Sequence, residues 1–174
     1  PEIIREASRR FGSSTIVVSI EAIRQPDGRY EAYTDNGRER TGRDALQWAR
    51  QAAELGAGEL LVTSIDREGT GKGFDLALTR AVAESVPIPV IACGGAGSAQ
   101  DVCEAVTQGR ADAVCVASVL HYDLVNRMPS AHVPGGVEGN VEFLRQRRGF
   151  SAIQGTDLAS LKRHLREQGL ACRE

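Results

Sequence analysis

The stretch that most constrains the fold is Gly58 to Asp75, GELLVTSIDREGTGKGFD. An apolar run, Leu60 to Ile65, passes directly into a polar turn carrying Asp66, Arg67, Glu68, Gly69 and Thr70, and Asp75 stands where a helix can begin. A short apolar run without polar alternation suits a strand covered on both faces, although periodicity alone leaves a buried helix open. The flanking glycines, Gly58 and Gly69, favour the strand. The stretch therefore predicts a buried parallel strand that delivers carboxylates to its C-terminal end.

Three further segments repeat the pattern. Thr15–Ile20 is a β-branched run that places Glu21 at its tip; Val90–Cys93 runs into Gly94-Gly95-Ala96-Gly97-Ser98; and Asp112–Val119 carries Ala117 and Ser118, with His121 and Tyr122 just beyond. Helical patterns lie between them. Pro1–Phe11 has Ile3, Ile4, Ala7 and Phe11 on one face, and Thr41–Leu55 has Leu46, Ala49, Ala53 and the core-packing Trp48 near one side. Asp75 caps a helix with Leu78, Ala81 and Val82 facing inward, which Pro87 stops. Ser98 and Asp101 read as a capping box opening Ala99–Gln108. Turns at Gln25–Gly28 and Asn36-Gly37 bracket a short strand, Arg29–Thr34, in a surface β-hairpin after the first strand. Four strand-then-helix units imply a parallel sheet under helices.

The notable polar residues all fall past the C-terminal ends of strands, the face on which α/β folds bind ligands. Gly95 and Ser118, on adjacent loops, suit a phosphate, with glycine admitting the backbone closely and orphan N–H groups donating. The same glycines equally suit tight turns. Glu21 and Glu68, on neighbouring strands, suit general acid/base work, though an acid at a strand end is otherwise simply solvated. Asp66 equally suits a structural partner for Arg67.

Composition narrows the partners. With 174 residues, 41% of them apolar, the chain can build one real core, and a net charge of −2 argues against a nucleic-acid or membrane-surface partner. There is no membrane-length apolar run and no signal-peptide pattern at Pro1–Arg10, so the expectation is a cytoplasmic protein. Cys93, Cys103, Cys115 and Cys172 lack C-x-x-C spacing and read as reduced core thiols rather than a metal site or a disulfide. No metal or cofactor is expected.

SIDREGTGKGFD, IACGGAGSAQD and DAVCVASVLHYD, with PEIIREASRRFGSSTIVVSIEA and TGRDALQWA before them, closely resemble the cyclase subunit of imidazole glycerol phosphate synthase. The resemblance covers Pro1–Val125 and resumes over Asp157–Leu170, DLASLKRHLREQGL, which is similar to the family's last barrel helix. A sugar isomerase of the same pathway shares the D-G-T-like turn, but the Gly-Phe-Asp ending and the hairpin resemble the cyclase. The resemblance implies an α/β fold of the (β/α)8 TIM-barrel type, of which this chain supplies roughly four units. Residues 1–125 would be half of the barrel, 126–155 an insertion on the active-site face, and 156–174 the last barrel helix and tail. Four strands cannot close a barrel, so a complementary half-barrel or a second copy of the chain is expected.

The same resemblance implies a lyase of histidine biosynthesis that takes ammonia from a glutaminase partner. Its substrate would be a phosphorylated ribulosyl-aminoimidazole, its products imidazole glycerol phosphate and an aminoimidazole carboxamide nucleotide. Glu21 and Glu68 would be catalytic and stand where the family has aspartates. Gly69, Gly94, Gly95, Ala117 and Ser118 would hold the substrate phosphate. Each glutamate keeps the charge but moves it by one methylene, and a misplacement near 1 Å can cost roughly a hundredfold in rate. Two alternatives stay open: a paralogue acting on another phosphorylated substrate, and a non-catalytic phosphate-binding or regulatory module.

The insertion Asn126–Gly155 has no counterpart in the resemblance. Pro129, Pro134, Gly135, Gly136 and Gly139 predict loop, and Val141–Arg147 a helical turn or two. Phe143, Leu144 and Phe150, with Arg145, Arg147 and Arg148, suit either a lid over a phosphorylated ligand or an expanded surface loop.

Overall fold

All four apolar runs become neighbouring parallel strands. The computed structural model describes residues 1–127 and 153–173. In chain order it contains α1 (Glu2–Phe11), a 3-10 turn (Ser13–Thr15), β1 (Val17–Arg24), β2 (Tyr30–Thr34), β3 (Glu39–Asp44) and α2 (Ala45–Glu54). There follow β4 (Glu59–Ser64), α3 (Leu76–Ala83), β5 (Val90–Cys93), α4 (Ala99–Thr107), β6 (Ala113–Cys115), α5 (Ser118–Arg127) and α6 (Leu158–Glu167). One sheet of order β3-β2-β1-β4-β5-β6 holds them. β1, β4, β5 and β6 are parallel, and the hairpin β2–β3 extends the sheet antiparallel to β1.

The register decides which side chains share a face. Ile20, Val62 and Ala92 form one row, and beside it Leu60 pairs with Val90; these five are almost completely buried. On them pack Ile4 of α1, Ala45, Ala49 and Ala52 of α2, and Leu78 and Val82 of α3. A second cluster joins Ala92 to Val102 and Ala105 of α4, Val119 of α5 and Leu161 of α6. The opposite face carries Ser19–Leu61–Ile91–Ala113 and Glu21–Thr63–Cys93–Cys115. Among the described residues, helices cover only the first face. Val17 is 51% exposed, and Ser19, Ala113 and Cys115 are also exposed. Parallel sheets ordinarily bury both faces. Because β2 pairs with β1 only over Glu21–Arg24, the first half of β1 has a partner on the β4 side alone. The described residues therefore make the parallel half of a barrel wall.

Several sequence expectations are corrected by local interactions. β1 runs on past Glu21 to Arg24 because β2 pairs with its last four residues, so Glu21 lies inside the strand. The hairpin is accordingly part of the sheet, with Tyr30, Glu31 and Ala32 buried. α2 begins at Ala45, not Thr41: Asp44 is its extended N-cap and accepts from Gln47 N–H, while residues 41–44 belong to β3. β6 is only three residues long, and Ser118 opens α5 instead of ending a strand. On α1 only Ile4 is buried; Ile3 and Phe11 are 76% and 62% exposed. Of the four free thiols only Cys103 is a core residue, and Cys115 is exposed on the open face. The helical turn and lid expected at Val141–Arg147, Phe143, Leu144, Phe150, Arg145 and Arg148 lie outside the described residues.

Short polar side chains set the helix starts. Asp75 accepts from Leu78 N–H at 3.0 Å, Ser98 and Asp101 form a complete capping box, and Asp157 accepts from Ser160 N–H at 2.8 Å. Asp157 also takes the Ser160 hydroxyl and pairs with Arg127 at 2.8 Å, tying α6 to the end of α5. The Ser160 N–H, then Arg127, then the Ser160 hydroxyl hold the Asp157 carboxyl well below the usual carboxylate range. A depressed folded-state pKa stabilises above the unfolded value of about 3.9 and is lost as the pH falls through the folded one. Asp157→Asn, which keeps a capping side chain, should therefore melt below the parent at pH 7. In thermal melts at decreasing pH that gap should close only below about pH 4; an unchanged gap at pH 2 would remove the carboxylate's charge from the account.

Candidate functional site

The parallel ladder brings four chain segments to one edge. Glu21 on β1, the turn after β4, the glycine loop after β5 and the Ala117–Ser118 junction after β6 follow one another across the sheet. Glu21, Thr63, Cys93 and Cys115 form its last inward row. The turn after β4 closes on itself: Ser64 carbonyl accepts from Arg67 N–H at 3.1 Å and Glu68 N–H at 3.0 Å, and Thr70 hydroxyl donates to Arg67 carbonyl at 2.6 Å. Glu68 and Gly69 are left exposed at its crest. Asp66 does not pair with Arg67. It accepts from Arg24 N–H at 2.8 Å and joins the ends of β1 and β4, while Arg67 donates to Lys72 carbonyl at 3.3 Å.

Glu21 has a partner the sequence did not suggest. Its Oε2 accepts from Gly37 N–H at 2.9 Å, so the tip of the hairpin is drawn down to the strand end. Gly37 adopts φ 77°, and a Cβ there would sit 2.7 Å from Ile65 Cδ1. Only glycine lets the tip lie this close. The base of the hairpin is fixed too: Tyr30 hydroxyl meets both Asp75 carboxylate oxygens at 3.0 and 3.1 Å. Burial, then the Asp75 charge and that hydrogen bond, push Tyr30 up to about 12.

Gly95 is where two loops cross. With φ 107°, it accepts from Gly73 N–H at 2.8 Å, and a Cβ would collide with Gly73 carbonyl. The glycines thus serve loop packing, and part of the donor set is already engaged: Gly97 and Ser98 N–H both donate to Asp101 Oδ2 at 2.8 Å. Gly94 lies against Ser64 carbonyl and the Glu68 backbone, which places the turn after β4 beside the loop after β5. Ala117 is exposed, and its carbonyl accepts from His121 N–H at 2.9 Å as α5 begins at Ser118. The returning chain touches both loops, since Gln154 N–H donates to Gly97 carbonyl at 2.6 Å and Thr156 N–H to Val119 carbonyl at 3.0 Å.

Three neighbours were not singled out from sequence: Thr63, Cys93 and Cys115. Burial pushes the Cys93 thiol up; a hydrogen bond from Thr63 opposes this, and the adjacent Cys115 and the Glu68 charge add to it. Strand alternation from Glu21 would have placed Thr63 and Cys93 on its face, but only the register fixes the row. A cavity of about 690 Å³ lies to the side over the start of α3, lined by Arg24, Asp66, Arg67, Lys72, Asp75 and Asp101 among others. Asp66, Asp75 and Asp101 are all engaged in holding backbone N–H groups there, so these three carboxylates are structural.

A parallel half-barrel with acids and glycine loops gathered at its C-terminal edge defines a class, and comparison agrees with it. The sequence model of the family described as "Histidine biosynthesis protein", a TIM-barrel family, matches residues 1–126, and the chain belongs to that family. Over 126 residues it is 50% identical to the imidazole glycerol phosphate synthase subunit HisF of Alkaliphilus metalliredigens (strain QYMF), an alignment covering 72% of this chain and 50% of that protein. The chain thus spans about half the length of that curated relative. Among the described residues no helix is long and apolar enough to cross a membrane.

The Glu21 contact can be tested without any substrate. Asp at this position withdraws the carboxylate by about 1.5 Å, too far for a hydrogen bond to Gly37, whereas Gln keeps an acceptor in place. Amide exchange at Gly37 should accelerate in Glu21→Asp and stay near the parent rate in Glu21→Gln. Equal rates in all three would show that Glu21 does not hold the turn.

Proposed function

We propose that this chain supplies the C-terminal half of a cyclase barrel, acting with ammonia on a phosphorylated ribulosyl-aminoimidazole to give imidazole glycerol phosphate. The observation that carries this reading is the shared edge. Glu21, in the last inward row of β1, and the Glu68 turn, Gly95 and Ser118, in the segments that follow β4, β5 and β6, lie along one edge of the sheet, next to a face that no described helix covers. The relative's printed name, a synthase subunit for imidazole glycerol phosphate, supports the reaction class. A glutaminase partner supplies the ammonia, and a complementary half-barrel, or a second copy of the chain, covers the open face and the free edge of the first half of β1. Closing an imidazole ring requires protons to be removed from the attacking nitrogen and delivered to departing oxygen, work for carboxylates within hydrogen-bond reach. In this reading Glu21 and Glu68 do that work. Gly69, Gly94, Gly95, Ala117 and Ser118 hold the substrate's phosphate.

A second reading has its own support. Glu21 already holds Gly37 N–H, and an acid committed to a structural hydrogen bond is a poorer proton carrier. A phosphate-binding module that has kept the loops and turned Glu21 into a hairpin clasp fits the same geometry.

Two measurements separate these readings. Inorganic phosphate should raise the melting temperature, by about 2.7 kcal/mol in stability at a hundredfold excess over its dissociation constant. Ser118→Asp, which sets a negative charge at the site, should abolish the rise; an undiminished rise in that variant would place the anion elsewhere. Ammonia-dependent turnover, measured with the barrel completed, distinguishes catalyst from module. Glu21→Gln should abolish turnover with substrate affinity nearly intact if Glu21 moves protons. Equal, negligible turnover in the parent, Glu21→Gln and Glu21→Asp would leave only the binding module.

A further inference from the structure

The last inward row ends in two thiols that neither the acids nor the phosphate loops employ. Cys93 on β5 and Cys115 on β6 are direct register partners in a parallel ladder. Neighbouring strands run about 4.8 Å apart, within the roughly 4.4–6.8 Å that a disulfide requires between Cα atoms. Both side chains project to the uncovered face, where Cys115 is exposed and Cys93 half-buried. Thr63, the register partner of Cys93 on β4, stands beside the pair on the same face. The other two cysteines differ in setting: Cys103 is buried within α4, and Cys172 lies in the tail beyond α6.

We propose that Cys93 and Cys115 form a redox-active dithiol that closes to a disulfide when the protein meets a peroxide. The thiolate of exposed Cys115 attacks one oxygen of hydrogen peroxide, the O–O bond breaks, and hydroxide leaves, giving a sulfenic acid. The Cys93 sulfur then attacks the Cys115 sulfur, the S–O bond breaks, and the departing hydroxide takes up the Cys93 proton as water. Two thiols and one peroxide become one disulfide and two waters. The bridge spans adjacent strands just before Gly94 and Ala117, so it staples the roots of the two loops. A bridge on this exposed face is of the readily reduced kind, which suits a reversible disulfide.

Treating the purified chain with hydrogen peroxide, blocking remaining thiols and digesting with trypsin provides the test. Peptide 81–110, which contains Cys93 and Cys103, should become linked to peptide 111–127, which contains Cys115. The link should persist in Cys103→Ser, vanish in Cys93→Ser and Cys115→Ser, and open with dithiothreitol. A sulfinic or sulfonic acid on Cys115 without the link, or a link that survives Cys93→Ser, would overturn the proposal. A trivalent arsenical, phenylarsine oxide, checks proximity without any oxidant, since it must bridge two thiols to stay bound. The untreated chain should retain one equivalent and either serine variant should lose it. No retention by a chain whose Cys93 and Cys115 still react with iodoacetamide would show that the thiols are not paired.

Discussion

The parallel ladder through β1, β4, β5 and β6 is the constraint on which the rest of the structure depends. Parallel strands deliver their C-terminal ends to the same edge, so the segments that follow them have no choice but to be neighbours. Alternation along each strand then divides the residues between two faces. Ile20, Val62 and Ala92 go under the helices, and Glu21, Thr63, Cys93 and Cys115 go to the face left open. A one-residue slip would exchange the two sets, burying Glu21 among α2 and α3 and exposing the core. The hydrophobic rows therefore fix the position of the acid as firmly as they fix the core.

Loop crossings convert that coarse placement into a defined edge. Gly95 and Gly73 meet backbone to backbone, Asp66 joins the end of β4 to Arg24, and Glu21 holds the tip of the hairpin through Gly37. Each is a hydrogen bond between segments distant in sequence, and each fastens one strand's loop to its neighbour's. Side chains that look chemical in a linear reading are here partly structural. Asp101 satisfies two N–H groups ahead of α4, and Asp75 both starts α3 and anchors Tyr30. What remains unengaged by such ties at the edge is a smaller set, with Glu68 exposed at the crest of its turn and Ser118 at the start of α5.

The chain by itself determined the elements whose causes are local. Unbroken apolar runs specified β4 and β5, Asp75 and the Ser98–Asp101 box marked the helix starts, and the recurrence of strand and helix specified a parallel sheet. The motifs SIDREGTGKGFD and IACGGAGSAQD also led to the right family, because a turn that must meet its neighbours leaves few choices of residue. Tertiary structure decided the rest. That residues 41–44 are strand instead of helix depends on β2 lying alongside them, and that Glu21 sits inside β1 depends on the same hairpin pairing with its end. Gly37 as the partner of Glu21, and Cys115 as the neighbour of Cys93, follow from contacts across 16 and 22 residues. No local propensity encodes such contacts, because the energy that fixes them, burial of the opposite face under the helices, exists only once the sheet has formed.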